Sequence, residues 1–118
     1  MVLVDTSIWI THFRHGNKRL EMLLMDGEVT SHPFIVGELA CGSLKNRKEI
    51  LSLLQELPMA PTIEFEEFLF FVEQKQLMGK GVGFVDIHLL ASAQISGTPL
   101  WTADRRLRNL ADKLGLAF

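Results

Sequence analysis

The sequence predicts an α/β protein, a three-layer α/β/α sandwich around a central parallel sheet. Two observations predict it. Val2-Leu3-Val4 is a short, continuous apolar run that stops abruptly at Asp5-Thr6-Ser7, the pattern of a strand covered by helices on both faces. Further strand-like runs then alternate with segments of helical period through short links, which implies parallel pairing.

In chain order, Ile8 to Phe13 reads as a first helix, capped by Thr6 or Ser7 and ended by Gly16-Asn17. Lys18 to Met25 spaces Leu20, Leu23 and Leu24 helically and closes at Asp26-Gly27. Glu28-Val29-Thr30 is a second strand. Pro33 opens a helix running to Cys41, with Ser31 or His32 as cap. Arg47 to Leu57 is amphipathic through Ile50, Leu51, Leu53 and Leu54. Pro58 and Pro61 bracket a very short third strand, Met59-Ala60.

Thr62 is expected to cap a long helix with Glu64, Glu66 and Glu67 in its first turns, where the helix dipole favours acids. That helix bears Phe65, Phe68, Leu69, Phe70, Phe71 and Val72, more apolar surface than one core stripe requires. Gly79, Gly81 and Gly83 lead into an almost wholly apolar helix, Val85 to Ser96. Pro99 to Thr102 is a fourth strand. Asp104 opens a last helix through Leu107, Leu110 and Leu114, stopped by Gly115, and Leu116-Ala117-Phe118 is a marginal final strand. No repeat or linker interrupts the pattern, so one domain over 1–118 is expected.

With 118 residues, 47% hydrophobic and 22% charged, the chain is long enough to bury a core without staples. No apolar stretch reaches the roughly 18 residues of a membrane span, and no basic leader precedes the first strand. Cys41 is the single cysteine, which excludes an internal disulfide and fits a reducing cytoplasm. Its neighbours Leu39, Ala40 and Gly42 predict a buried, inert thiol. The formal charge of −2 comes from 14 acids and 12 bases. It does not decide for or against a nucleic-acid partner, because four of those acids belong to one candidate site.

Those four are Asp5, Glu38, Asp86 and Asp104. Asp5 ends the first strand, and Asp104 comes just after the fourth. If these strands are neighbours, about 5 Å apart, both acids stand at one sheet edge, where ligands of such sheets gather. Asp86, at the start of its helix, would enter beside them, and Glu38 would reach in from an otherwise apolar helix. Singly, each has an ordinary alternative: the aspartates could cap helices, and Glu38 could face solvent. Capping alone does not explain three acids on one side of one sheet.

Such a cluster repels itself and calls for cations or raised pKa values. An all-oxygen donor set without histidine or cysteine suits Mg²⁺ or Mn²⁺, and carboxylate-held ions suit phosphodiester hydrolysis. Thr6, Ser7 and Thr102 are placed to hydrogen-bond the ligands or orient water, or simply to cap helices.

Val4-Asp5-Thr6-Ser7-Ile8-Trp9, Gly37-Glu38-Leu39, Gly83-Phe84-Val85-Asp86-Ile87-His88-Leu89-Leu90-Ala91-Ser92-Ala93 and Leu100-Trp101-Thr102-Ala103-Asp104 resemble, in order and spacing, the motifs of a PIN domain, most closely of the VapC-type toxins. The resemblance implies a metal-dependent endoribonuclease in which Asp5, Glu38, Asp86 and Asp104 bind Mg²⁺ or Mn²⁺. It also implies a homodimer, and an antitoxin whose tail occupies the active-site groove. One departure is Arg106, where many relatives carry another acid, which weakens the case for a second metal.

Arg14, Lys18 and Arg19 follow the first helix, and Arg105, Arg106 and Arg108 follow Asp104. With His12 and His15 they are candidates to hold RNA phosphates, against the plain reading of solvated helix faces. His88 reads as a core or surface residue rather than a ligand. The aromatic helix suggests a dimer or antitoxin interface. Competing readings are a phospho-acceptor signalling domain, an idle scaffold, and a nuclease acting on other nucleic acid. The first wants a paired acid after strand one and a lysine placed after the last strand, and neither is evident in the sequence.

Overall fold

The computed structural model describes residues 1–118 and contains a parallel sheet of three strands, β1 (Val2–Val4), β2 (Val29–Thr30) and β3 (Leu100–Trp101), ordered β2-β1-β3. The first strand is central, and it alone is both apolar and buried at every position. Val2, Leu3 and Val4 are all buried, which requires cover on both faces. Register pairs Leu3 with Thr30 on one side and with Leu100 on the other.

Seven helices surround the sheet: α1 (Thr6–His15), α2 (Lys18–Met25), α3 (Pro33–Ala40), α4 (Arg47–Glu56), α5 (Phe65–Lys75), α6 (Phe84–Ser96) and α7 (Arg105–Lys113). Helix α3 packs on α1 and α4, α5 packs on α6, and α6 and α7 pack on β3. Helix α6 is buried without a break from Ile87 to Ala93, which explains its nearly uniform apolar sequence.

The predicted third and final strands shrink to single bridges, Ser31 with Met59 and Leu100 with Ala117. Pro58 and Pro61 flank Met59-Ala60 and offer no N–H, so the ladder there is limited to Ser31 N–H on Pro58 O and Ala60 N–H on Ser31 O. No helix is long and apolar enough to cross a membrane.

Three local expectations change. Asp5, not Thr6 or Ser7, caps α1: it keeps the extended backbone of the strand while its carboxylate accepts from Ser7 N–H. Glu64, not Thr62, caps α5, because Ile63 packs against the core and delays the helix. The Glu64 N–H then donates to Glu67 Oε1 at 2.9 Å. Cys41 is exposed rather than buried, since it lies past the end of α3, where Leu39 is the residue turned inward.

Candidate active site

The site begins where β1 and β3 end. Asp5 N–H donates to Trp101 O at 2.9 Å, prolonging the ladder by one residue and fixing the Asp5 backbone beside the β3 exit. Asp5 is only 6% exposed. Its Oδ2 accepts from Ser7 Oγ at 2.8 Å and from Thr102 Oγ1 at 2.9 Å. Those hydroxyls in turn accept from Ala103 N–H and Asp104 N–H at 3.0 and 3.1 Å. Each hydroxyl has one proton, and both are used on Asp5, so their mutual 3.4 Å approach is contact rather than a further bond.

The other three acids are anchored separately. Asp104 caps α7, its Oδ1 accepting from Leu107 N–H at 3.0 Å. Asp86, in the first turn of α6, accepts from Gly83 N–H on Oδ2 at 3.3 Å. Glu38 lies on the exposed side of α3 and accepts from Thr6 Oγ1 on Oε1 at 2.7 Å. The plain readings of capping and exposure therefore describe these residues correctly, but incompletely. Every carboxylate has one oxygen tied to the protein and one, Asp5 Oδ1, Glu38 Oε2, Asp86 Oδ1 and Asp104 Oδ2, without a protein donor.

The four share one electrostatic field. Burial pushes the Asp86 carboxyl above its usual range. The Gly83 N–H pulls it back, and the charges of Asp5, Asp104 and Glu38 push it up again. No lysine or arginine offsets this repulsion, because the one ion pair of the molecule joins the Met1 amino group to Glu28. As they stand, no three acid or histidine side chains close on one point as a finished cage. The donor set is nonetheless all oxygen, anionic, held on one side and free on the other, and it fits a hard divalent cation.

The basic candidates separate. Arg14 and His15 line a cleft of about 600 Å³ that also contains Glu38 and Lys45. Arg105 lines a different cleft, with Arg108, Asn109 and Phe118. The Arg106 side chain lies over Gly81. Lys18, at the start of α2, is exposed, and no contact joins it to the acids. Arg19 has another role, with its guanidinium 4.2 Å from the Phe118 ring centre and 5.5 Å from that of Trp101. His12 Nδ1 accepts from Asn17 N–H and shapes the turn into α2.

His32 was legible only as a possible cap. It is the cap of α3, with Nδ1 accepting from Phe34 N–H at 3.0 Å, and it is fully buried. It belongs to a cluster with His88, whose ring stacks on Phe68 at 4.6 Å and meets Phe34 and Phe84 edge-on. Burial, then the neighbouring His88, lowers the His32 pKa to about 4. His88 is thus a core residue, as expected, and not a ligand.

The chain matches the PIN domain family over residues 2–113. It is also 44% identical to Ribonuclease VapC32 from two strains of Mycobacterium tuberculosis, CDC 1551 / Oshkosh and ATCC 25618 / H37Rv. Each alignment runs over 118 residues and covers 99% of this chain and 95% of the relative. The four acid motifs, the parallel β2-β1-β3 order and this near full-length identity agree: the chain belongs to the PIN-domain family, in its VapC-type branch.

Proposed function

We propose that this protein is a metal-dependent endoribonuclease, the toxin of a toxin–antitoxin pair, which hydrolyses RNA phosphodiester bonds at a site formed by Asp5, Glu38, Asp86 and Asp104. The observation that supports it best is the division of labour within each carboxylate: one oxygen anchored, its twin free. Such half-committed acids are pre-oriented ligands. A single domain spanning 1–118 bears the whole site.

Mg²⁺ or Mn²⁺ would be held by those free oxygens, and when bound it supplies charge to the phosphate and acidity to a water. The chain's own residues do the rest. Ser7 and Thr102 fix Asp5, Thr6 steadies Glu38, and the Gly83 N–H orients Asp86. Glu38 and Asp104 are exposed, so their side chains can adjust toward a common ion at little packing cost. Arg14, Lys18, Arg105 and Arg106 are the cations proposed to meet RNA phosphates, with Arg14 sharing the Glu38 cleft.

The partners are RNA, a cognate antitoxin and a second copy of the chain. Helix α5 turns Phe68 and Phe71 inward but leaves Phe65, Leu69 and Phe70 at 61, 52 and 66% exposed. That patch continues into a cleft of about 350 Å³ lined by Phe71, Ala91 and Ile95, and it is the surface proposed for self-association.

The deciding experiment compares purified wild type and Asp5→Asn on RNA and on single-stranded DNA of the same sequence, with and without Mg²⁺ or Mn²⁺. Metal-dependent cleavage of RNA by wild type and none by the variant is the expected result. Equal cleavage by both proteins, or cleavage of DNA alone, removes the assignment.

A further inference from the structure

Gly81 and Arg106 form a seat that none of the motifs explains. Gly81 stands in the link between α5 and α6 with a positive φ of +79°, a conformation that favours glycine. The Arg106 side chain lies across its Cα. A Cβ built there would come within 2.7 Å of Arg106 Cδ, 2.8 Å of Nη1 and 3.1 Å of Nε. Among the nine glycines, only Gly81 is pressed by another residue's side chain; Gly42 has only the Leu39 carbonyl nearby, at an ordinary contact distance of 3.6 Å.

Both partners are tied to the acids. Arg106 is two residues beyond Asp104, which caps the same helix. Gly81 is two residues before Gly83, whose N–H holds Asp86. The seat therefore bridges the two segments that present Asp86 and Asp104. Arg106 has no ion pair and donates no hydrogen bond within the protein. It is also absent from the charges that act on the Asp86 carboxyl. A guanidinium held by packing on Gly81, two residues along α7 from Asp104 and paired with no acid, keeps its full charge for an anion from outside. Its planar fork suits two oxygens of one phosphate.

We infer that Arg106, seated on Gly81, is a phosphate clamp that holds the RNA backbone next to the four-acid site, and that Gly81 is the positioning residue that sets its place. This rests on the ribonuclease reading above. It asks more of Arg106 than a general basic surface does, because position and not only charge matters. Arg105 and Arg108, which face a separate cleft, do not share that role.

The test is binding of a dye-labelled single-stranded RNA, followed by fluorescence anisotropy over a range of salt, in an Asp5→Asn background that does not cleave. Arg106→Gln is expected to weaken binding about tenfold. It should also flatten the slope of log affinity against log salt by about 0.7, the mark of one lost phosphate contact on a single strand. Gly81→Ala, which displaces the Arg106 side chain and also strains the left-handed backbone at that position, should reproduce most of that loss. In the Arg106→Gln background, Gly81→Ala should leave the salt slope unchanged.

An unchanged slope for Arg106→Gln overturns the clamp, as does a Gly81→Ala change in slope that persists without Arg106. Should Gly81→Ala disturb the fold, Arg106→Gln alone, an exposed substitution, still decides. If the cleaving wild type binds and cuts RNA while Arg106→Gln binds equally well, only this inference fails. If wild type does neither, the ribonuclease reading fails with it.

Discussion

Thr102 Oγ1 donates to Asp5 Oδ2 at 2.9 Å, joining residues 97 positions apart across the neighbouring ends of β1 and β3. The same hydroxyl accepts the Asp104 N–H. One small side chain thus ties two of the four acids to one another.

Thr102→Val keeps the shape and removes both bonds. It strands a buried carboxylate oxygen with one hydroxyl fewer, which costs about 1–3 kcal/mol, and it frees the Asp104 backbone. Expected are a lower midpoint in urea and a kcat reduced by about 10- to 100-fold, the scale of a small misplacement of catalytic groups. A variant with the lower midpoint but wild-type kcat would show that the bond serves stability alone.

Asp86→Asn should make the metal-free protein more stable. The folded-state pKa of Asp86 is raised, so the ionised side chain at neutral pH opposes folding, and the cost grows as pH rises through the shifted value. Asparagine keeps an acceptor for the Gly83 N–H without the charge. Thermal melts in EDTA should show a higher Tm for the variant. With Mn²⁺ added the order should reverse, because only wild type gains from binding, by about 2.7 kcal/mol at a hundred times Kd.

His32 makes stability depend on pH. Its folded pKa of about 4 lies below the ordinary 6.5, so the unfolded chain binds more protons between those values. Stability is full above the upper value and falls as pH drops through the window, by about 3 kcal/mol for the whole shift. His88, lowered in the same direction by burial, adds to the trend. His32→Asn can keep the cap on Phe34 N–H but does not titrate. Denaturation curves at pH 7 and pH 4.5 should therefore differ less for the variant than for wild type.

Phe70→Glu should abolish self-association. Two-thirds exposed on α5, Phe70 has little to lose from the core, so the monomer's stability should change by no more than about 0.5 kcal/mol. Sedimentation should give a dimer mass for wild type and half of it for the variant. A wild type that sediments as a monomer at tens of micromolar removes the proposed interface.

Much of this was readable in the amino-acid order because local chemistry and tertiary role coincide. Val2-Leu3-Val4 reads as a doubly covered strand and is one. Leu100 and Trp101 pair with it, which places Asp5 and Asp104 together as the strand pattern required. The caps were less legible. Asp5, Thr6 and Ser7 are all good capping residues, and only the length of the ladder, extended to Trp101 O, selects Asp5. Cys41 misled because its apolar neighbours do not reveal that α3 ends one residue earlier. The seat of Arg106 on Gly81 left no trace in spacing at all. It depends on how the link before α6 passes α7, a matter of three dimensions.

The central place of β1 has a consequence for the chain as it is made. Parallel partners need long crossovers, and the neighbour that brings Asp104 to Asp5 leaves the ribosome long after β1 itself. The cutting edge therefore closes only when β3 has been threaded beside a strand that emerged long before it.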